Sequence, residues 1–292
     1  MIRLIVCDID GTLLNYDNTF DEVSFHKINE KRAQGIEFMF ATGRDFDMVD
    51  DFCQLKKVYS PLILNNGTQY RSYSGDVNDY YPMEQKSFEQ VMEILLKYQY
   101  HISVHTQQGK YIFEDIDTYY QRHIDILKKS RNIEDESLFP NAAFFTRKGF
   151  LRNVHPVKHI DELYQQGALP LKIDARHIDP SMVAGVSHLF DEIGHLHISS
   201  SYAENIEITS DIHDKGSMLK EVIKEKGLSI EEVATFGDGL NDVGMLAGFP
   251  YSFAPANAHA AAKEKASYSL DVTNEQGAVK KGIEILETLH LI

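Results

Sequence analysis

Near both ends of the chain, short apolar runs alternate with longer segments whose apolar positions recur at helical spacing. Ile2-Arg3-Leu4-Ile5-Val6-Cys7 is a nearly continuous apolar run, the pattern of a strand covered on both faces. Ser24 to Gly35 reads as a helix that ends at a glycine, and Ile36 to Ala41 as the next strand. Phe46 to Leu55 is helical by period, and Leu62-Ile63-Leu64 is a third strand. The alternation returns late. Gly216 to Lys226, Asp242 to Ala247, Ala258 to Lys265 and Ala278 to Leu289 read as helices, and Val233 to Gly237 and Tyr251 to Ala254 as strands. This order predicts an α/β fold with a mostly parallel sheet.

The middle of the chain has another character. Ser87 to Tyr98 and Thr118 to Lys129 are helical by period, and Pro180 to Ile193 reads as a further helix. Ile102 to Thr106 and Lys110 to Phe113 flank Gln107-Gln108-Gly109, the composition of a hairpin. Leu171 to Ala175 is a strand, and Leu196 to Ser200 with Asn205 to Thr209 reads as a second hairpin. Residues 84–210 are therefore expected to form an α+β domain inserted into an α/β domain made of residues 1–83 and 211–292. No short-period repeat or low-complexity tract interrupts this plan.

Composition narrows the classes of partner. The 292 residues are 43% hydrophobic and 25% charged, ordinary for a soluble globular protein. Asp and Glu number 44 against 29 Lys and Arg, a net charge of −15. That balance argues against nucleic-acid or anionic-membrane binding, which needs a basic footprint. It leaves room for phosphorylated substrates, provided that a metal ion and a few placed cations neutralise them locally. The 2 cysteines, Cys7 and Cys53, form no disulfide framework, and their scarcity fits a reducing cytoplasm. The N-terminus runs directly into a strand with charges close behind, unlike a signal peptide. No transmembrane helix is visible: the mildest candidate, Met245 to Ala262, is broken by Gly248, Pro250 and Pro255.

Four strand candidates end in conspicuous polar residues. These are Asp8-Ile9-Asp10-Gly11-Thr12, Thr42-Gly43-Arg44, Asn65-Asn66-Gly67 and Gly237-Asp238-Gly239-Leu240-Asn241-Asp242. Parallel α/β sheets build sites at the carboxyl ends of strands, so clusters far apart in sequence can meet in one crevice. Asp8 and Asp10 share a side if the strand persists, and Gly11 lets the chain turn at once. A carboxylate is ionised at neutral pH, so Asp8 can attack phosphorus without a base to activate it. Asp10 can then give a proton to the leaving alkoxide and later take one from water. Acids facing a phosphate repel it unless a hard cation intervenes, and Mg²⁺ with Asp8, Asp10 and Asp238 as contributors meets that need. Thr42 offers a hydroxyl and Gly43 close backbone approach. Lys215, in Asp214-Lys215-Gly216, adds a positive point charge for the transferring phosphoryl group.

Taken together, these motifs resemble those of the haloacid dehalogenase-like (HAD) phosphatases. Asp8-Ile9-Asp10-Gly11-Thr12-Leu13 matches the first motif, Thr42 the second, Lys215 the third and Gly237 to Asp242 the fourth, in the same order and spacing. The long insert resembles the cap of the Cof-type, class IIB branch, and Asn65-Asn66-Gly67 is a further feature of that branch. The resemblance spans essentially the whole chain. It implies a Rossmann-like HAD core with a parallel sheet plus an inserted α+β cap, and a Mg²⁺-dependent phosphatase acting on a small phosphorylated metabolite, a sugar phosphate or a phosphorylated cofactor. By position it implies that Asp8 is the nucleophile and a Mg²⁺ ligand. Asp10 is implied to be the general acid/base, ligating Mg²⁺ through its backbone carbonyl, and Asp238 the third protein ligand. Thr42 and Lys215 would bind the phosphoryl group, Asn241 phosphate or substrate, and Asp242 would orient Lys215 or a metal-bound water. Substrate identity and oligomeric state do not transfer.

Plainer readings compete at several positions. Asp8 and Asp10 can be a solvated turn, Thr42-Gly43-Arg44 a helix cap, and Asn65-Asn66-Gly67 a turn by composition. Arg44 stays ambiguous. His195 with His197, or His101 with His105, invites a zinc site, but no third ligand has metal spacing. Glu114, Asp115 and Asp117 read as a solvated edge rather than a second metal site, and Tyr111, Phe113, Tyr119 and Tyr120 as core of the insert. A sugar-phosphate phosphomutase, which passes the phosphoryl group to a hydroxyl instead of water, is the alternative within the same branch. A phospho-accepting regulatory protein is the alternative outside enzymes.

Overall fold

The computed structural model describes every residue except 16–18, 136–138, 140–145 and 201–203. The chain begins with β1 (Leu4–Cys7), α1 (Glu22–Ala33), β2 (Glu37–Ala41), α2 (Phe46–Lys56), β3 (Leu62–Leu64), β4 (Gln69–Arg71) and β5 (Asn78–Tyr80). It continues through α3 (Gln85–Lys97), β6 (His101–Thr106), β7 (Gly109–Ile112), α4 (Ile116–Arg131), α5 (Arg147–Phe150), β8 (Val154–Pro156), α6 (Ile160–Gln165), β9 (Lys172–Arg176), α7 (Pro180–Val186), β10 (Leu196–Ser199) and β11 (Asn205–Ser210). It closes with α8 (Lys215–Glu225), β12 (Val233–Phe236), α9 (Val243–Gly248), β13 (Tyr251–Ala254), α10 (Ala260–Lys265), β14 (Tyr268–Ser269) and α11 (Ala278–Thr288). Two compact units result. One comprises Met1–Arg44, Lys56–Asp79 and His213–Ile292, the other Asp45–Leu55 and Tyr80–Ile212.

The first unit is built on an eight-stranded sheet in the order β14-β13-β12-β1-β2-β3-β4-β5. β12, β1, β2 and β3 run parallel, so their carboxyl ends lie along one edge of the sheet. Leu4, Ile5, Val6 and Cys7 are all at most 1% exposed although successive side chains point to opposite faces, so β1 is covered on both sides. Each such aliphatic side chain contributes about 1.5–3 kcal/mol of burial, and a charge placed at Val6 would forfeit it. α1 begins one residue after Asp21, whose carboxylate accepts from the Val23 and Ser24 N–H groups. The sequence gives no signal for β4 and β5, because Gln69-Tyr70-Arg71 and Asn78-Asp79-Tyr80 carry no apolar run. They add to the margin of the sheet, where one polar face is tolerated.

The second unit carries a six-stranded sheet in the order β10-β11-β9-β6-β7-β8. The expected hairpin is present, with Thr106 opposite Gly109 and Val104 opposite Tyr111. The expected pairing of the two late strands is present as antiparallel β10 and β11. Period two sorts the side chains cleanly. Ile102, Val104, Ile173, Ala175, Ile206 and Ile208 pack with Phe88, Val91, Met92 and Leu95 of α3, while His101, Ser103, His105, Lys172, Asp174 and Arg176 occupy the other face. Three differences from the sequence reading have local causes. The helix expected over Pro180 to Ile193 ends at Val186 and tightens into a 3₁₀ turn at Ser187–Phe190. β8 and α6 are too short to show a period. Helix α2, expected with residues 1–83, groups with the second unit, where Arg152 and Asn153 reach Asp47 and Asp51.

Candidate active site

Every residue singled out for chemistry belongs to the first unit. Asp8 follows β1 immediately, Thr42 and Gly43 follow β2, Asn65 to Gly67 follow β3, and Asp238 to Asp242 follow β12. Lys215 opens α8, whose cap is Asp214: its carboxylate accepts from the Ser217 N–H while the Ser217 hydroxyl accepts from the Asp214 N–H. That box fixes where the helix starts and therefore where the lysine side chain begins.

The strand stops at Cys7, so the condition for placing Asp8 and Asp10 on one side is not met. Their carboxylates take different cationic partners. Asp8 is buried and accepts a 2.7 Å hydrogen bond from Lys215 Nζ. The same ammonium donates to Asp242 Oδ1 at 2.8 Å, and Lys215 itself is fully buried. Asp10 is instead clasped by Arg44, whose Nε and Nη2 donate to its two oxygens at 2.8 and 2.6 Å. Arg44, ambiguous in the sequence, is thus part of the site. Nothing in Thr42-Gly43-Arg44 announces its partner, 34 residues away. The capping role weighed for Thr42 falls to Asp45, which accepts from the Met48 N–H at the start of α2. Thr42 is fully buried, and its hydroxyl accepts from the Arg44 N–H.

Asp238 lies against the turn that carries Asp8 and Asp10. Its Oδ1 accepts from the Thr12 hydroxyl at 2.7 Å, a contact the sequence did not suggest. Gly11 stands at φ 75°, and a Cβ there would collide with the Asp238 carboxylate, so only glycine serves. Asp242 uses its second oxygen to accept from the Asp238 and Gly239 N–H groups at 2.9 and 2.8 Å, which closes the turn. Asn241 is buried and donates through Nδ2 to Asn66 Oδ1 at 3.0 Å.

The electrostatics follow from this crowding. Burial, then Asp242, push the Asp8 carboxyl well above its usual range despite Lys215. Burial, then Asp242, push Asp238 up to about 7, against the Thr12 hydrogen bond. Burial by itself would depress Lys215, but Asp242 and Asp8 outweigh it and raise the ammonium above its ordinary value. Oxygens of Asp8, Asp238 and Asp242 lie within 4.8 Å of one another. An all-carboxylate set short of positive charge fits a hard divalent cation. Asp8 and Asp238 suit that role better than Asp242, whose two oxygens are already committed to Lys215 and the backbone. Among the described residues no histidine joins such a set. His105 pairs with Asp45 at 3.0 Å, and His101 stacks on Tyr119 beside Glu114. Asp115 caps α4, and both cysteines are free and buried.

A buried acid cluster with one lysine, at the carboxyl edge of a parallel sheet, defines a hydrolase-type α/β site. The chain matches the haloacid dehalogenase-like hydrolase family over residues 5–283, and it belongs to that family. Its fold is the Cof-type, class IIB arrangement. It is 27% identical over 267 residues to the pyridoxal phosphate phosphatase YbhA of Escherichia coli, covering 91% of this chain and 92% of that one. Among solved structures, a haloacid dehalogenase-like hydrolase from B. subtilis superposes with a TM-score of 0.83 at 22% identity, over 98% of this chain and all of the other. A HAD subclass IIB sugar phosphatase gives a TM-score of 0.77 at 16% identity, over 99% of this chain and 100% of that one. Among the described residues no helix is long and apolar enough to cross a membrane.

Proposed function

We propose that this protein is a Mg²⁺-dependent phosphatase that hydrolyses a small phosphorylated metabolite through an aspartyl-phosphate intermediate. The reading is carried by one observation: the Lys215 ammonium bridges Asp8 and Asp242, with Asp238 alongside, in a buried cluster where acids outnumber the cation. Asp8 and Asp238, with the Asp10 backbone carbonyl, would hold the Mg²⁺. When bound, the ion supplies the charge that lets these acids ionise together and face a phosphate. The Asp8 carboxylate then attacks phosphorus, an Asp8–phosphate bond forms, and the ester P–O bond breaks. Asp10, which Arg44 holds as an ion pair in the substrate-free protein, would leave that pair, carry a proton into the site and give it to the departing alkoxide. It next takes a proton from water, the resulting nucleophile attacks the phosphorus of the acyl phosphate, and inorganic phosphate leaves with Asp8 restored. Thr42, the Gly43 backbone, Lys215 and Asn241 would hold the phosphoryl oxygens throughout. Residues 84–210 are proposed as the cap, 1–83 with 211–292 as the core.

The substrate class is read as a sugar phosphate or a phosphorylated cofactor, in keeping with the named activities of the relatives: pyridoxal phosphate for one and sugar phosphates for another. The test is Mg²⁺-dependent release of phosphate from an aryl phosphate, followed by a panel of phosphorylated metabolites. Asp8→Asn should lower kcat by at least about a thousandfold, the scale on which loss of a nucleophile acts. Activity of wild-type size in that variant, with Mg²⁺ affinity retained, would remove Asp8 from the nucleophile role.

A further inference from the structure

Of the four strand-end clusters, Asn65-Asn66-Gly67 is the one to which the proposed chemistry gives no task. Its backbone is unusual: Asn65, Asn66 and Gly67 stand at φ 50°, 60° and 104°, three successive residues in the left-handed region. Asparagine is, after glycine, the residue that most readily takes this conformation, and here the surroundings hold two in succession. Those surroundings are the candidate phosphoryl-binding groups. The Asn66 N–H donates to the Thr42 carbonyl at 3.1 Å, and the Asn65 N–H donates to the Arg44 carbonyl at 3.0 Å. Gly67 lies so close to the Asp214–Lys215 peptide that a Cβ would strike its carbonyl. The Asn66 Oδ1 accepts from Asn241 Nδ2 at 3.0 Å, with Asn66 1% exposed and Asn241 9%. One three-residue turn therefore touches Thr42, Lys215 and Asn241, which otherwise sit on separate elements.

The contact to Asn241 is the one made by a side chain. A carboxamide rotates broadly about its terminal torsion, so an Asn that must present a donor needs a second bond to aim it. With the Asn66 Oδ1 turned toward it, the Asn241 amide presents its Nδ2 on that side. One Asn241 amide hydrogen is then committed, and the other is held in a set direction. We propose that Asn66 is a positioning residue that orients the Asn241 carboxamide toward the phosphoryl group, and that the Asn65–Gly67 turn registers Thr42 and Lys215 with it. This rests on the reading of Asn241 as a phosphate or substrate ligand.

The test uses the full chain with Mg²⁺, inorganic phosphate as the calorimetric probe and 4-nitrophenyl phosphate as substrate. Asn66→Gly keeps a residue that accepts the left-handed backbone and deletes the carboxamide. It should weaken phosphate binding and raise KM by about tenfold, with kcat within about threefold, and in the Asn241→Ala background it should cost nothing further. Losses that add in the double variant would mean that Asn66 acts independently of Asn241, and would overturn the proposal while leaving the phosphatase reading standing. A wild-type protein that neither binds phosphate nor releases it would overturn that reading and this proposal with it. Should Asn66→Gly fail to fold, the wild type decides. Its Asn241 side-chain amide signal, assigned by loss in Asn241→Asp, should contain one proton protected from solvent exchange, and two freely exchanging protons would refute the bond.

Discussion

Both units bury charge, and they do so in opposite ways. In the second unit Asp174 lies beside Arg176 at 3.2 Å, Glu207 lies 3.7 Å from Lys172, and Asp45 faces His105 with Lys110 nearby. Burial would raise Asp174 and Asp45, but these cationic and hydrogen-bonding neighbours outweigh it and hold both carboxyls below the ordinary range. In the first unit three acids crowd around one lysine, and Asp8 and Asp238 are held above it. The difference teaches how to read a buried ionic cluster. A set that balances its own charge is a structural network, costly to break but asking for nothing. A set that leaves negative charge over must take up protons or a cation, the behaviour of a site rather than of a scaffold.

Asp174→Asn removes the carboxylate beside Arg176 inside the second unit and should cost about 3–5 kcal/mol in chemical denaturation. Asp238→Asn relieves repulsion in the metal-free first unit and should leave stability unchanged or raise it; a loss as large as that of Asp174→Asn would sink the distinction. Mg²⁺ should raise the stability of the first unit by about 2.7 kcal/mol at a hundredfold excess over its dissociation constant, and the Asp238→Asn variant should lose this gain. A melting temperature indifferent to Mg²⁺ would argue that the acids bind no ion. The pH slopes should oppose each other in the metal-free protein. Asp238, with its folded carboxyl raised to about 7, lends stability at low pH that is lost as pH rises through that value. Burial lowers His101 and His105 from 6.5, so the unfolded chain binds more protons and the second unit loses stability as pH falls below 6.5, by at most about 1.4 kcal/mol per pH unit for each histidine. Hydrogen exchange followed separately in β12 and β9 reads the two slopes, and parallel slopes would contradict the assignment. The smallest effect belongs to Thr12→Val, which removes the donor to Asp238 and should cost about 1 kcal/mol of Mg²⁺ affinity, with Thr12→Ser restoring most of it.

Much of this arrangement is legible before folding. The apolar run of β1, the parallel strands after it and the polar clusters at their ends are local patterns. Local patterns survive because β1 is apolar on both faces and the central strands of the insert carry their apolar side chains on one. The polar strands β4 and β5 and the short β8 and α6 escape notice because they lack a run or a period. The partners of the site residues escape notice for another reason. Arg44 on Asp10, Thr12 on Asp238 and Asn66 on Asn241 join positions separated by 34, 226 and 175 residues, and the side chains involved are commonplace at turns.

The amino-acid order alone determined the class of architecture, the set of acids and the lysine that must meet, because hydrophobic period and motif spacing are written residue by residue. Tertiary structure decided the rest. β1 ends at Cys7, so Asp8 turns to Lys215 and Asp10 to Arg44. Which carboxylates share a low-dielectric pocket, and which cation is within reach to answer them, depends on how strands distant in sequence lie side by side.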